Sequence, residues 1–341
     1  MRSLIVKAPN ELALITDASM PQMGDYDALV RNECCAICNG TDMEIIAGRL
    51  EEAKRYPLML GHESAGRVVA CGSRVRHYRE GDLVTRSVVR ANERYFSSWG
   101  AFSEYGVVTD YAAMVEDGRP DAGAYTIGLM QRVFPAGISA EAAAVTITMK
   151  EVYAAFERMG IRPGDRVLTV GDGPVSMCML EISKLFGVGA FHVLGQNPRT
   201  LARLRANGAS GVFNRLEPGD MEALSALERS FDQYIDTIGR EETIRQGMRF
   251  LRPDGQIVVY GLHTEEVISL PVRQMRNWCL RFMQFPIHAK EGATHRRICE
   301  AVLRGELKPE VLITHRFPLE AYAEGFGAIR RGEAVKVILT L

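Results

Sequence analysis

Residues Arg166 to Gly187, RVLTVGDGPVSMCMLEISKLFG, decide the fold. The stretch opens on an apolar run, Val167-Leu168-Thr169-Val170, and turns through Gly171-Asp172-Gly173-Pro174-Val175-Ser176. It then enters a helical pattern with Met177, Leu180, Ile182, Leu185 and Phe186 on or near one face. Strand, tight glycine turn and helix is the arrangement that sets backbone N–H groups and a helix N-terminus against a pyrophosphate. Gly171 permits the turn, and Gly173 lets the backbone approach the ligand. Ser176 stands where the third glycine of a G-x-G-x-x-G pattern falls and is small enough for close helix–strand packing. A dinucleotide is therefore expected at Gly171, Gly173, Pro174 and Val175.

Downstream, the pattern alternates strand and helix. Ala190–Leu194 reads as a strand, Thr200–Asn207 as a helix and Gly211–Phe213 as a short strand. A helix over Glu222–Arg229, a strand Phe231–Asp236, a helix Glu241–Leu251 and a strand Gln256–Gly261 follow. Such alternation implies a parallel, doubly wound sheet. Upstream, residues 1 to about 140 read as short strands at Leu4–Val6, Ala28–Cys34, Ala65–Val69 and Asp82–Val84, punctuated by Gly72-Ser73, Glu80-Gly81-Asp82 and Asp117–Pro120. Helical patterning begins at Ser139, a candidate cap. In the tail, helical segments His295–Gly305 and Leu319–Arg331 precede an apolar strand, Val335–Leu341, expected to return to the first domain.

With 341 residues, 47% hydrophobic and 24% charged, the chain can bury two domains. A formal net charge of −1 provides no global field for nucleic acid or an anionic membrane. No apolar run reaches the roughly 18 residues of a membrane span, and the N-terminus lacks a signal-peptide core. Seven cysteines without a secreted-framework spacing read as reduced, cytoplasmic thiols.

The β-rich half carries Cys38-Asn39-Gly40-Thr41-Asp42 and, some way on, Gly61-His62-Glu63. These segments, with Ala65–Val69, Gly100–Tyr105, Pro163–Leu168, Leu251–Val258 and Gly332–Val337, resemble the zinc-type medium-chain dehydrogenase/reductase family in order and spacing. The resemblance runs end to end. It implies an α/β chain with a GroES-like β-rich catalytic domain, residues 1–140 and 285–341, around a doubly wound Rossmann domain, residues 141–284. It also implies a catalytic zinc on Cys38 and His62, with Glu63 as a ligand or directly behind the metal, and hydride transfer between a nicotinamide cofactor and an alcohol or carbonyl substrate.

Three departures stand out. The position of the third protein ligand in most relatives falls on Thr146 or Ile147, so Cys38, His62, Glu63 and water are the expected zinc set. The segment 86–103, RSVVRANERYFSSWGAFS, has no cysteine, and no structural zinc is expected there; Tyr95, Phe96 and Trp99 fill the space or line the cleft. The proton-relay hydroxyl of relatives falls on Gly40, with Thr41 one residue further; Thr41 is the expected relay residue, or else a helix cap with Asp42 as its alternative.

Proteins that prefer NAD end the second Rossmann strand with an acid for the ribose hydroxyls. That position is Gly195, in Val193-Leu194-Gly195-Gln196-Asn197-Pro198-Arg199. With no acid there, Gln196, Asn197, Arg199 and Arg203 are offered to a 2′-phosphate, which favours NADP over NAD. The expected substrate is a polyol, sugar, cyclitol or other secondary alcohol, with Glu44, Arg49, Glu104 and His288 either contacting its hydroxyls or lying on the surface. The alternatives are a zinc-independent reductase of an activated double bond or quinone, and a non-catalytic nucleotide-binding protein. The resemblance further implies a homodimer or homotetramer, with Gln256–Gly261 and Glu266–Pro271 as candidate edges.

Overall fold

In the computed structural model, which describes residues 1–119, 121–262, 265–271, 273 and 277–341, the chain divides into two units. Met1–Lys150 with Ile287–Leu341 forms one, and Glu151–Pro286 the other. Of the expected Asp117–Pro120 turn, Pro120 lies outside the described residues.

The second unit is a six-stranded parallel sheet built outward from Arg166–Val170. On one side lie Ala190–Gly195 and Gly211–Asn214, and on the other Phe231–Asp236, Leu251–Val259 and Cys279–Phe282. Strand order therefore reverses at Arg166–Val170, and the crevice at such a reversal is where doubly wound sheets take nucleotides. The strands are apolar on both faces, as helices on both sides require: Leu168, Val170, Leu194, Tyr234, Ile257 and Val259 pack in one core with Ile244, Met248 and Phe250. Helix Pro174–Leu185 follows the glycine turn directly. The third helix of the unit is Pro218–Ser225, earlier than the expected Glu222–Arg229, because Pro218 has its φ preset for a first helical position. Strand Cys279–Phe282 is the sheet edge, so Gln256–Gly261 lies inside the sheet and not at its border. The edge strand was missed because its residues are mostly exposed and carry no apolar run.

The first unit holds two sheets. The smaller orders Glu11–Ile15, Ser3–Ala8, Leu58–Met59 and Phe96–Ser97. In the larger, Asp27–Ala36 is central and pairs with Glu63–Cys71, Tyr105–Thr109 and the closing strand Lys336–Thr340. The chain end thus returns to the first domain, with Ile338 opposite Ala36. Ser139 Oγ accepts the Ala142 N–H at 3.2 Å and caps helix Ala140–Met159.

Candidate active site

Three strand ends meet in the first unit. Ala36 closes its strand opposite Glu63, which opens the next, and opposite Ile338 of the closing strand. Two residues past Ala36 stands Cys38, one before Glu63 stands His62, and two before Ile338 stands Lys336. Register alone therefore carries a thiol, an imidazole, a carboxylate and an ammonium to one end of the sheet. Gly61 fixes the approach of His62: its φ is +100°, and a Cβ there would lie 2.4 Å from the Phe102 ring.

Ligating atoms of Cys38, His62 and Glu63 all lie within 4.8 Å of one another. His62 Nδ1 is 3.2 Å from Asp42 Oδ1, and Asp42 Oδ2 accepts the Cys38 N–H at 2.9 Å. Asp42 is fully buried, and its carboxylate reaches back to position both residues. Such a carboxylate partner orients a metal-binding histidine. Glu63 is buried against Lys336, whose Nζ donates to its two oxygens at 2.7 and 3.0 Å, while Thr148 Oγ1 donates to Oε1 at 3.4 Å. An ionised carboxylate offers about four lone pairs, so these bonds leave Glu63 acceptor capacity. Burial opposes charge on His62, but Asp42, and behind it Cys38, outweigh it and hold the imidazole well above its ordinary pKa.

The donor set tests the metal. Without one, His62 and Lys336 carry the cations that face Asp42 and Glu63, and a divalent cation would take the place of one proton each on Cys38 and His62. The thiolate, imidazole and carboxylate set suits Zn²⁺. Thr146 donates to the Ala143 carbonyl at 2.7 Å, and Ile147 is wholly buried.

Trp99 flanks this group, its ring 5.7 Å from His62 and 5.1 Å from the Arg86 guanidinium. Trp99 and Arg86 both hold left-handed backbone, φ +71° and +60°, unusual for bulky side chains. Arg86 is buried and pairs with Glu291 at 3.1 Å through Nε and Nη2. Tyr95 packs in a core with Ile5, Met59 and Val89, whereas Phe96 is exposed.

In the second unit, Gly171 has φ +107°, and a Cβ there would lie 2.2 Å from Thr237 Oγ1. Gly173 ends in open space and precedes the first helical residue, Pro174. This turn is a cradle of backbone at a helix N-terminus, and it fits a pyrophosphate. Ser176, in place of a third glycine, donates its hydroxyl to the Gly171 carbonyl at 2.6 Å and so holds the turn closed.

Residues 24–118 match the alcohol dehydrogenase GroES-like domain, and residues 174–285 match the zinc-binding dehydrogenase domain. The two matches together span more than half of the chain. The chain belongs to the zinc-containing medium-chain alcohol and polyol dehydrogenase family. Sorbitol dehydrogenase of Macaca fascicularis is 27% identical over 99% of this chain and 95% of its own length. L-threonine 3-dehydrogenase of Chelativorans sp. (strain BNC1) is 28% identical over 99% of this chain and 98% of its own. The crystal structure of 2R,3R-butanediol dehydrogenase from Bacillus subtilis shares the fold, with a TM-score of 0.80 at 18% identity over 100% and 99% of the two chains. As a medium-chain dehydrogenase, the protein is an NAD(P)-dependent, zinc-linked oxidoreductase acting on CH–OH groups. Among the described residues, no helix is long and apolar enough to cross a membrane.

The dehydrogenase brings Cys38, His62 and Glu63 together and sets Thr41 at the start of helix Thr41–Ile46, half-buried. Of the polar candidates, Glu44 and Arg49 form an exposed pair at 2.7 Å, Glu104 binds Arg2 at 2.8 Å, and His288 lies 3.1 Å from the Thr126 hydroxyl. Reading the sequence missed Lys336, Thr148 and the positioning role of Asp42. The signal for Lys336 was a lysine opening an otherwise apolar strand. Reading missed Asp172 as well. Its Oδ2 accepts the N–H groups of Gln196 and Asn197 at 2.8 and 2.6 Å. An acid therefore does stand at the end of the second strand, supplied from the glycine turn.

Proposed function

We propose that the enzyme interconverts a secondary alcohol of a polyol, sugar or cyclitol with its ketone, using zinc held by Cys38, His62 and Glu63. The observation that carries the metal assignment is that ligating atoms of Cys38, His62 and Glu63 lie within 4.8 Å of one another, with Asp42 beside His62 and Lys336 holding Glu63. Zinc there supplies a Lewis acid for the substrate oxygen, and a nicotinamide supplies the hydride acceptor or donor.

The chain's own residues do the rest. With a metal on Nε2, the remaining His62 proton would sit on Nδ1, which faces Asp42 Oδ1 at 3.2 Å. Lys336 and Thr148 fix the Glu63 carboxylate. Thr41 Oγ1, three residues on from Cys38, is our candidate first member of a proton relay, accepting the substrate's hydroxyl proton as it gives up its own toward solvent. The Trp99 ring beside His62 offers an apolar wall for the C–H face of a polyol. Tyr95 packs with Ile5, Met59 and Val89 in a segment without cysteines. Among the groups near a bound dinucleotide, Arg199 and Arg203 support the phosphorylated form and the Asp172 carboxylate the plain one.

Metal analysis of the purified enzyme with a panel of alcohols, polyols and ketones tests this reading. It predicts about one zinc per chain and turnover of a secondary alcohol. A metal-free protein that reduces enones or quinones overturns it.

A further inference from the structure

The choice between NAD and NADP turns on what lies at the end of strand Ala190–Gly195, where the adenosine ribose is read. Gly195 has no side chain, yet the space beside it is filled. A Cβ on Gly195 would lie 2.5 Å from both the Cβ and Oδ2 of Asp172. The carboxylate of the glycine turn has thus crossed to the neighbouring strand end, and Gly195 is the residue that lets it in.

Two consequences follow from its contacts. The N–H groups of Gln196 and Asn197 are donors that a 2′-phosphate at this strand end would need, and Asp172 Oδ2 already accepts both. The second oxygen, Oδ1, meets no hydrogen-bond donor among the described residues and remains open to a ribose hydroxyl. A 2′-phosphate brings nearly two negative charges at neutral pH against a half-buried carboxylate, whereas a hydroxyl brings a donor. Of the two opposing charges, that on Arg199 sits on an exposed side chain and is largely screened, and half-buried Arg203 is engaged in an interaction of its own. Its backbone N–H donates to Asn197 Oδ1 as part of the helix cap.

We infer that Asp172 selects NAD over NADP, its carboxylate serving as the ribose-reading acid that the second strand itself lacks. The inference rests on the dehydrogenase reading for the presence of a nicotinamide dinucleotide, and it assigns the discrimination to a residue of the phosphate turn.

Fluorescence titration of the whole enzyme with NADH and NADPH tests it without catalysis. Wild type is expected to bind NADH more tightly by about tenfold or more, since like charges juxtaposed in a binding site are strongly disfavoured. Asp172→Asn keeps an acceptor for the two N–H groups and removes the charge, so the preference should shrink to within about threefold. A purely structural Asp172 would lower both affinities in parallel and leave the ratio unchanged, which would overturn the inference. A probe of wild type alone is competition by adenosine 5′-monophosphate against adenosine 2′,5′-bisphosphate, with the monophosphate expected to displace NADH at lower concentration. Equal or tighter binding of NADPH or of the bisphosphate by wild type overturns the inference, and the dehydrogenase reading survives. Binding of neither dinucleotide overturns both.

Discussion

The end of the first unit that we propose for zinc and the glycine turn that we propose for the dinucleotide are built by opposite means. At the first, three strand ends deliver side chains, and His62, Asp42, Glu63 and Lys336 are buried with an oppositely charged or chargeable group within reach. At the second, the backbone is offered to the pyrophosphate, and apart from Asp172 the side chains act mainly by being small or by holding the turn. A site made of buried charges loses much when one partner is removed, because the remaining charge stays desolvated. A site made of backbone is sensitive to added atoms and tolerant of lost polar contacts. Substitutions in the two regions should therefore fall into separate classes of effect.

The largest effect is expected at the ligands themselves. Cys38→Ala or His62→Ala should abolish zinc retention and lower kcat/KM by about a thousandfold, since Lewis-acid stabilisation is worth several kcal/mol. Atomic absorption alongside steady-state kinetics checks this. If either variant keeps both metal and activity, the first region is a structural cluster and the contrast with the second disappears.

Lys336→Met comes next. It leaves Glu63 buried without its counter-ion and should cost about 3–5 kcal/mol of stability, read from denaturant unfolding. The double variant Glu63→Gln with Lys336→Met removes both charges and should recover more than half of that loss. Additive losses would show that the pair is not the source of the cost. Asp42→Asn is a milder change in the same region. It keeps the side chain's shape but removes the charge facing His62 Nδ1, and should weaken zinc affinity by about 10–100-fold in competition with a chelator.

How much of each region was legible follows from the same contrast. The glycine turn announced itself because backbone geometry restricts residue type: strand, Gly171, Gly173 and an apolar helix face are contiguous. Cys38, His62 and Glu63 were legible as motif residues. Their partners were not. Lys336 meets Glu63 only through the register of strands far apart in sequence, and one lysine at the head of an apolar strand looks like an edge residue. Asp172 sat within the quoted turn, but its reach to Gln196 and Asn197 depends on the spacing of two parallel strands and on Gly195 leaving room. The absence of an acid at a position says little when a neighbouring strand end can supply one. The edge strand Cys279–Phe282 was illegible for a simpler reason, since a strand half in solvent needs no apolar pattern.

The smallest expected effect lies in the second region and sharpens the comparison most. Ser176 stands where a glycine would complete the pattern, and its hydroxyl donates to the Gly171 carbonyl at 2.6 Å. Ser176→Ala removes that bond while keeping the Cβ. The carbonyl still accepts from water if the turn opens slightly, so the cost should be about 1 kcal/mol. Ser176→Gly restores the glycine pattern but loses the same bond and adds the conformational freedom of a helical glycine, roughly a further 0.5–1 kcal/mol. Both variants should keep dinucleotide affinity within about threefold of wild type, because the backbone N–H groups remain in place. Thermal melts with and without NADH measure both quantities. A large loss of affinity in Ser176→Ala, with stability unchanged, would mean that the hydroxyl meets the ligand directly and that the pyrophosphate cradle, like the first region, binds through a side chain.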